Sequence, residues 1–170
     1  MLTNNYCQQF SGHSIADVKI GDDGALYASA GDGASFVSVD YGQQHGATLA
    51  NPCADPPTGN GTLPTPPTAE GGALRAQSPL TVNPGFTATF AGAVIRINPD
   101  TGAAWPTNPW VSDPDVQRAK ILGYGFRNPF RLTVRPNTDD VWVSDVGWHV
   151  NEEINVINPG GTAAQNFGWP

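Results

Sequence analysis

A strand, a polar turn, a returning strand and a closing glycine occur twice in the same order, and this repeat limits the possible folds more than anything else in the chain. The first copy opens with Ile15-Ala16-Asp17-Val18-Lys19-Ile20 and turns through Gly21-Asp22-Asp23-Gly24. It returns along Leu26-Tyr27-Ala28-Ser29-Ala30 to Gly31-Asp32-Gly33. Ile15, Val18 and Ile20 form the apolar face of a strand, and Asp-Gly is a strong hairpin signal because it tolerates positive φ. The second copy runs Phe130-Arg131-Leu132-Thr133-Val134-Arg135, then Pro136-Asn137-Thr138-Asp139-Asp140, then Val141-Trp142-Val143-Ser144-Asp145, and closes at Gly147. A third strand recurs too: Val94-Ile95-Arg96-Ile97-Asn98-Pro99 corresponds to Ile154-Asn155-Val156-Ile157-Asn158-Pro159, each followed by a glycine-bearing turn. A fourth strand is read at residues 120–125 and, for the second copy, after Asn166.

Short antiparallel strands in units repeating at about 60 residues read as propeller blades. Alternating strands alone would equally suit a β-sandwich; the repeat decides for an all-β propeller fragment of about two four-stranded blades. The first copy has a long excess, at about residues 34–90, between its second and third strands. It is rich in Pro, Gly and Thr, lacks sustained periodicity, and is read as a mobile surface insertion within one partial domain covering residues 1–170. Two blades alone leave unpaired edges and an open channel, so further blades of the same chain are the expected partners. Both ends fit that reading. Met1-Leu2-Thr3-Asn4-Asn5 lacks the basic and apolar regions of a signal peptide, and Asn166-Phe167-Gly168-Trp169-Pro170 stops on residues of the kind usually buried.

Composition excludes several functions. With 20 Gly, 16 Pro and only 14% charged residues, the chain favours turns and short strands over long helices. A net charge of −7 argues against nucleic acid or an anionic membrane as partner, and no apolar run is long enough to span a bilayer. The two cysteines, Cys7 and Cys53, fit neither a zinc pattern nor a CxxC motif. They either pair with each other, stand as two separate thiols, or partner cysteines in a missing part of the chain. Together with the Gly/Pro/Thr-rich character they point to an exported protein, secreted or periplasmic.

Three stretches carry a family resemblance. They are His13-Ser14-Ile15-Ala16-Asp17-Val18-Lys19-Ile20-Gly21-Asp22-Asp23-Gly24-Ala25-Leu26-Tyr27 leading to Gly31-Asp32, then Gly123-Tyr124-Gly125-Phe126-Arg127-Asn128-Pro129, and finally Asp145-Val146-Gly147-Trp148 through Glu152-Glu153-Ile154-Asn155 to Gly168-Trp169-Pro170. In this order they resemble the glucose/sorbosone dehydrogenase family, which includes the soluble quinoprotein glucose dehydrogenases. The resemblance implies a six-bladed propeller, of which this chain would hold about a third. It also implies pyrroloquinoline quinone (PQQ) and Ca2+ as cofactors and a sugar as substrate. On the same basis His13 is the catalytic base and Arg127 the electrophilic support at the quinone oxygen, with Asn128 beside it as a cofactor contact. Gly147 and Trp148 stand where backbone carbonyls hold the calcium, an ion that prefers hard oxygen ligands.

Read without the resemblance, a loop histidine is a solvated side chain, Arg127 pairs with a carboxylate, and Asn128 holds a turn before Pro129. The chain also departs from the family pattern. Ile15 and Ala16 stand where sugar oxidases usually have glycines, Gly12 where an acidic residue is common, and Trp148 where a proline is common. PQQ carries three carboxylates, whereas the chain has only eight Lys and Arg in all, so most cofactor cations are expected from later blades. A non-catalytic propeller that binds carbohydrate or protein, as in hedgehog-interacting members of the family, is the alternative. The insertion and Trp105 and Trp110 would suit such a surface.

Overall fold

The computed structural model describes residues 8, 12–34, 72–80 and 87–170; Cys7 and Cys53 lie outside them. Strands β1 (Ile15–Ile20), β2 (Leu26–Ala30), β3 (Ala93–Ile97) and β4 (Ile121–Tyr124) form an antiparallel meander. Strands β5 (Pro129–Val134), β6 (Val141–Asp145) and β7 (Glu153–Ile157) form a second antiparallel sheet in the same sense. The two inner strands, β1 and β5, run beside each other, so the sheets are neighbouring blades. Turn chemistry explains why each hairpin closes where it does. Gly24 takes φ of 83° in the first, and Asn137 takes φ of 61° in the second, a conformation that asparagine tolerates better than other side chains.

One strand lies elsewhere than the repeat predicts. Strand β8 (Gln165–Asn166) does not complete the second blade but pairs in parallel with β4, beyond the edge of the first. The chain after it follows the same neighbour, with Phe167 N donating to Tyr124 O at 2.9 Å and Trp169 N to Gly125 O at 2.8 Å. Among the described residues the second blade therefore has three strands.

The inner strands share a second irregularity. A β-bulge separates Ile15 from Asp17 in β1, and another separates Pro129 from Arg131 in β5. The extra residue shifts the side-chain alternation, which is why Ile15 shares a face with Val18 and Ile20 despite the odd spacing. That face is exposed along β1, and so are Trp142, Ile154 and Val156 on the outer face of the second sheet. Between the blades the packing is dense. Tyr27, Val94, Leu122 and Phe126 meet Leu132, Val141, Val143 and Ile157, all buried. Full burial of each large aliphatic or aromatic side chain contributes roughly 1.5–3 kcal/mol, so this seam is the main source of cohesion. A second cluster, including Phe90, Ile95, Ile97 and Ile121, covers the opposite face of the first sheet.

A charge lies inside the first blade. Arg96 is 2% exposed and donates from Nε and Nη2 to Asp23 Oδ2 at 3.0 and 2.6 Å, and the same oxygen accepts from Tyr27 Oη at 3.0 Å. Its guanidinium lies 5.6 and 5.8 Å from the rings of Tyr27 and Trp105. Burial alone would raise the Asp23 pKa. The hydrogen bonds from Ala25 N, Arg96 and Tyr27 outweigh it and hold the carboxyl below the usual range.

Part of the insertion departs from expectation. Gly72–Leu80 forms a 3-10 segment in which Gly72–Pro79 are buried rather than lying on the surface. It is held by local and long-range bonds: Thr89 N donates to Ser78 Oγ at 3.0 Å, and Gly125 N to Ala76 O at 3.0 Å. Neither bond leaves a trace in composition or periodicity.

Removing Asp23 leaves buried Arg96 with only the half-exposed Asp139 carboxylate, 3.5 Å away, so Asp23→Asn should lower the unfolding free energy by about 3 kcal/mol in a denaturant titration. Because the folded pKa of Asp23 is depressed, its stabilisation is present above the unfolded pKa and is lost as pH falls through the folded one. The variant should lack that acid-range decline.

Candidate functional site

The site lies at the starts of the two inner strands. His13 stands two residues before β1, and Arg127 two residues before β5. Both units close this end with the same backbone bond: Gly31 N donates to Ser14 O at 2.9 Å, and Val146 N to Asn128 O at 3.0 Å. The equivalence places His13 opposite Asp32 and Arg127 opposite Gly147, and the side chains make those contacts. His13 Nδ1 lies 2.8 Å from Asp32 Oδ1, and Arg127 Nη1 donates to Gly147 O at 3.0 Å and to Val146 O at 3.1 Å. Two glycines keep the space open. A Cβ at Gly31 would lie 2.8 Å from the His13 carbonyl oxygen, and one at Gly147 would lie 1.5 Å from Asn151 O.

Asp32 joins the blades. Its backbone N–H donates to Arg127 O at 2.8 Å. Its carboxylate is wholly buried; Oδ1 also accepts from Ala34 N at 2.9 Å, and Oδ2 accepts from Trp169 Nε1 at 2.7 Å. An ionised carboxylate only accepts, so in this pairing His13 Nδ1 is the donor. His13 itself is 3% exposed.

Arg127 is also buried, with its guanidinium 5.6 Å from the Trp169 ring centroid. Burial lowers its pKa, opposed by the negative charges of Asp32, Asp145 and Glu152. Asp145 fixes the backbone beneath it, accepting from Arg127 N at 3.0 Å and Asn128 N at 2.6 Å. The Asp145 carboxyl is raised to about 6, chiefly by burial and also by the charges of Glu153 and Asp32, against the two backbone donors that pull it down.

Beside these groups opens a cleft of about 280 Å³, lined among others by Arg127, Asp145, Gly147, Trp148, Glu153 and Trp169. The Trp148 ring packs 4.2 Å from His149 and meets Trp169 edge-on at 6.5 Å. All five residues singled out in the sequence therefore gather at one end of the blades. Arg127, Gly147 and Trp148 line the cleft, Asn128 sits buried beneath, and His13 reaches it only through Asp32 and Trp169. Sequence reasoning gave Asp32, Asp145 and Trp169 no role, although each lies in a stretch carrying the family resemblance. Their importance comes from contacts with residues 17 to 137 positions away. Among the described residues no three His, Cys, Asp or Glu side chains cluster to hold a metal, and no helix is long and apolar enough to cross a membrane.

Residues 81–170 match the family model described as Glucose / Sorbosone dehydrogenase. The chain is 32% identical over 79 residues to the aldose sugar dehydrogenase YliI of Escherichia coli, an overlap covering 46% of this chain and 20% of that protein. It is 36% identical over 83 residues to an uncharacterized Synechocystis protein, covering 49% and 19% respectively. Two solved structures share the fold. One is a putative oxidoreductase (glucose dehydrogenase) of Thermus thermophilus, with TM-score 0.55, 23% identity, and coverage of 94% of this chain and 33% of that one. The other is the PQQ-bound aldose sugar dehydrogenase of Streptomyces coelicolor, with TM-score 0.54, 22% identity, and coverage of 93% and 30%. The chain thus spans about a fifth of those sequence relatives and about a third of those structures. Its two neighbouring sheets are a portion of a β-propeller.

Asp145→Asn offers one acceptor where two adjacent backbone N–H groups need two, and turns an amide N–H towards one of them. The variant should lose about 1–3 kcal/mol of unfolding free energy, the cost of a buried unsatisfied donor. Hydrogen exchange should show the loss of protection at the Arg127 or Asn128 amide.

Proposed function

Because the chain belongs to the Glucose / Sorbosone dehydrogenase family, we propose that, within a complete propeller, it oxidises a hydroxyl of an aldose or related sugar, with PQQ as hydride acceptor. The observation that carries this reading is the convergence of a carboxylate-held imidazole, His13 on Asp32, and a buried guanidinium, Arg127, through a single indole, Trp169.

The chain's own residues supply one part of a quinone site. Arg127 offers a cation, and Trp148 and Trp169 offer aromatic walls for a planar ring. Asp145 and Glu153 line the same cleft and would repel a tricarboxylate, so its remaining cations would come from beyond this chain. PQQ, when bound, supplies the hydride acceptor. The protein's contribution is to hold a proton acceptor and a positive charge in fixed places. The Asp32 carboxylate orients the His13 ring through Nδ1, the arrangement in which Nε2 would take the proton of a sugar hydroxyl. Burial strengthens the Arg127 charge towards any oxygen that becomes negative. Asn128 belongs to this reading through its backbone, since its N–H and carbonyl help set the Arg127 loop.

Calcium at the Gly147 and Trp148 carbonyls is the finer part of the proposal. Arg127 Nη1 already occupies the Gly147 oxygen, so an ion there would compete with the guanidinium for it. Export from the cytoplasm, read from the cysteines and composition, belongs to the same proposal.

Two measurements test this reading. In the protein carrying a complete propeller, PQQ and calcium should support dye-linked oxidation of aldoses, and His13→Ala should abolish it; undiminished turnover in the variant would remove His13 from the chemistry. The 170-residue chain alone should bind PQQ weakly or not at all in a spectroscopic titration with calcium, and a tight one-to-one complex would overturn the assignment of the missing cations to other blades. If the complete protein neither binds nor turns over, the non-catalytic recognition propeller becomes the better account.

A further inference from the structure

Trp169 enters the reading given so far as the indole where the His13–Asp32 pair and Arg127 meet and as a wall for a planar ring, and its contacts go further. Its indole Nε1 donates to Asp32 Oδ2 at 2.7 Å, on the carboxylate oxygen that His13 does not use. Its ring lies beneath the Arg127 guanidinium, 5.6 Å from centroid to carbon. One rigid side chain therefore touches both halves of the proposed machinery, which lie on different blades.

Trp169 is itself held by the insertion. Gln77 and Asn166 exchange a reciprocal amide pair, Gln77 Nε2 to Asn166 Oδ1 at 3.0 Å and Asn166 Nδ2 to Gln77 Oε1 at 2.8 Å. Gln77 Nε2 also donates to the Trp169 carbonyl at 2.6 Å. Gly125 leaves room for this clasp. At φ of 76°, a Cβ there would lie 2.3 Å from Asn166 Oδ1 and 2.7 Å from Gln77 Nε2. Trp169 N closes the arrangement on Gly125 O.

We propose that Trp169 is a positioning residue that locks the His13–Asp32 pair and Arg127 into one geometry, and that the Gly72–Leu80 segment of the insertion, through Gln77, sets the place of Trp169. The catalytic consequence rests on the sugar-oxidation reading; the lock itself does not. Without the indole donor, Asp32 Oδ2 loses that partner and the carboxylate is held through Oδ1 alone, by the Ala34 amide and the imidazole it positions. Small misplacements of a reacting group reduce turnover more than they reduce binding.

The experiment uses the complete propeller protein with 15N-labelled tryptophan, without cofactor. The Trp169 indole resonance is assigned by its loss in Trp169→Phe. It should exchange slowly with solvent, shift in both Asp32→Asn and Arg127→Lys, and lose roughly tenfold or more of its protection in Gln77→Ala. The indole of Trp142, which is 43% exposed, should stay unchanged in all three variants and serves as the control. An indole of Trp169 indifferent to Asp32→Asn, or unprotected from the start, would overturn the lock.

With PQQ and calcium present, Trp169→Phe and Gln77→Ala should each lower kcat roughly tenfold while KM stays within about twofold. Equal kcat in the wild type and both variants would overturn the positioning role, even if the resonance shifts occur. Resonance shifts as expected in a protein with no sugar oxidation at all would leave the lock standing and defeat the functional reading instead. Should Trp169→Phe fail to fold, Gln77→Ala carries both readouts.

Discussion

Asp32 is the group on which the arrangement depends. A carboxylate removed from water costs several kcal/mol unless its oxygens are fully used, and Asp32 has no exposure at all. Its oxygens accept from the His13 ring, the Ala34 amide and the Trp169 indole, and its own amide reaches the Arg127 carbonyl. Those donors come from the first blade and from the stretch after β8, and that carbonyl precedes the second blade. The burial cost is offset only when all of these segments are in place, so the same residue that makes the site polar also makes it rigid.

The electrostatics around it explain how far this chain goes on its own. Arg127 is the cation lining a cleft shared with Asp145 and Glu153, and Glu152 adds its charge to Arg127 from close by. Such a setting suits one guanidinium held firmly between carboxylates and carbonyls. It does not suit a trianion bound by this chain alone.

The strands were readable in the sequence because each is a local decision. Asp-Gly and Asn-bearing turns close the hairpins, and the branched residues between them alternate with a period that the bulges in β1 and β5 interrupt only once. His13, Arg127 and Gly147 entered only through the family resemblance, because a loop histidine, an arginine before a turn and a backbone carbonyl carry no signature of their own. The rest is non-local. Trp169 meets Asp32 across 137 positions, and Gln77 meets Asn166 across 89, so no window of sequence contains either pair. The buried 3-10 segment was hidden for a similar reason: a Pro-, Gly- and Thr-rich stretch looks solvent-facing, and only its partners show that part of it is not. Strand β8 was misassigned because two residues carry no periodicity, and its parallel neighbour β4 is chosen by the contacts of Phe167 and Trp169 that follow it.

The matched bulges and the matched Ser14–Gly31 and Asn128–Val146 bonds mean that the two blades offer the same backbone socket twice, fitted with different side chains. In one socket an imidazole faces a carboxylate; in the other a guanidinium faces a carbonyl. A duplicated scaffold of this kind lets chemistry diverge by exchange of a single side chain at a fixed offset, with no change in the path of the main chain. Each further blade built on the same frame would add another socket to the ring, and the identity of the residue two places before its inner strand would define what that blade contributes.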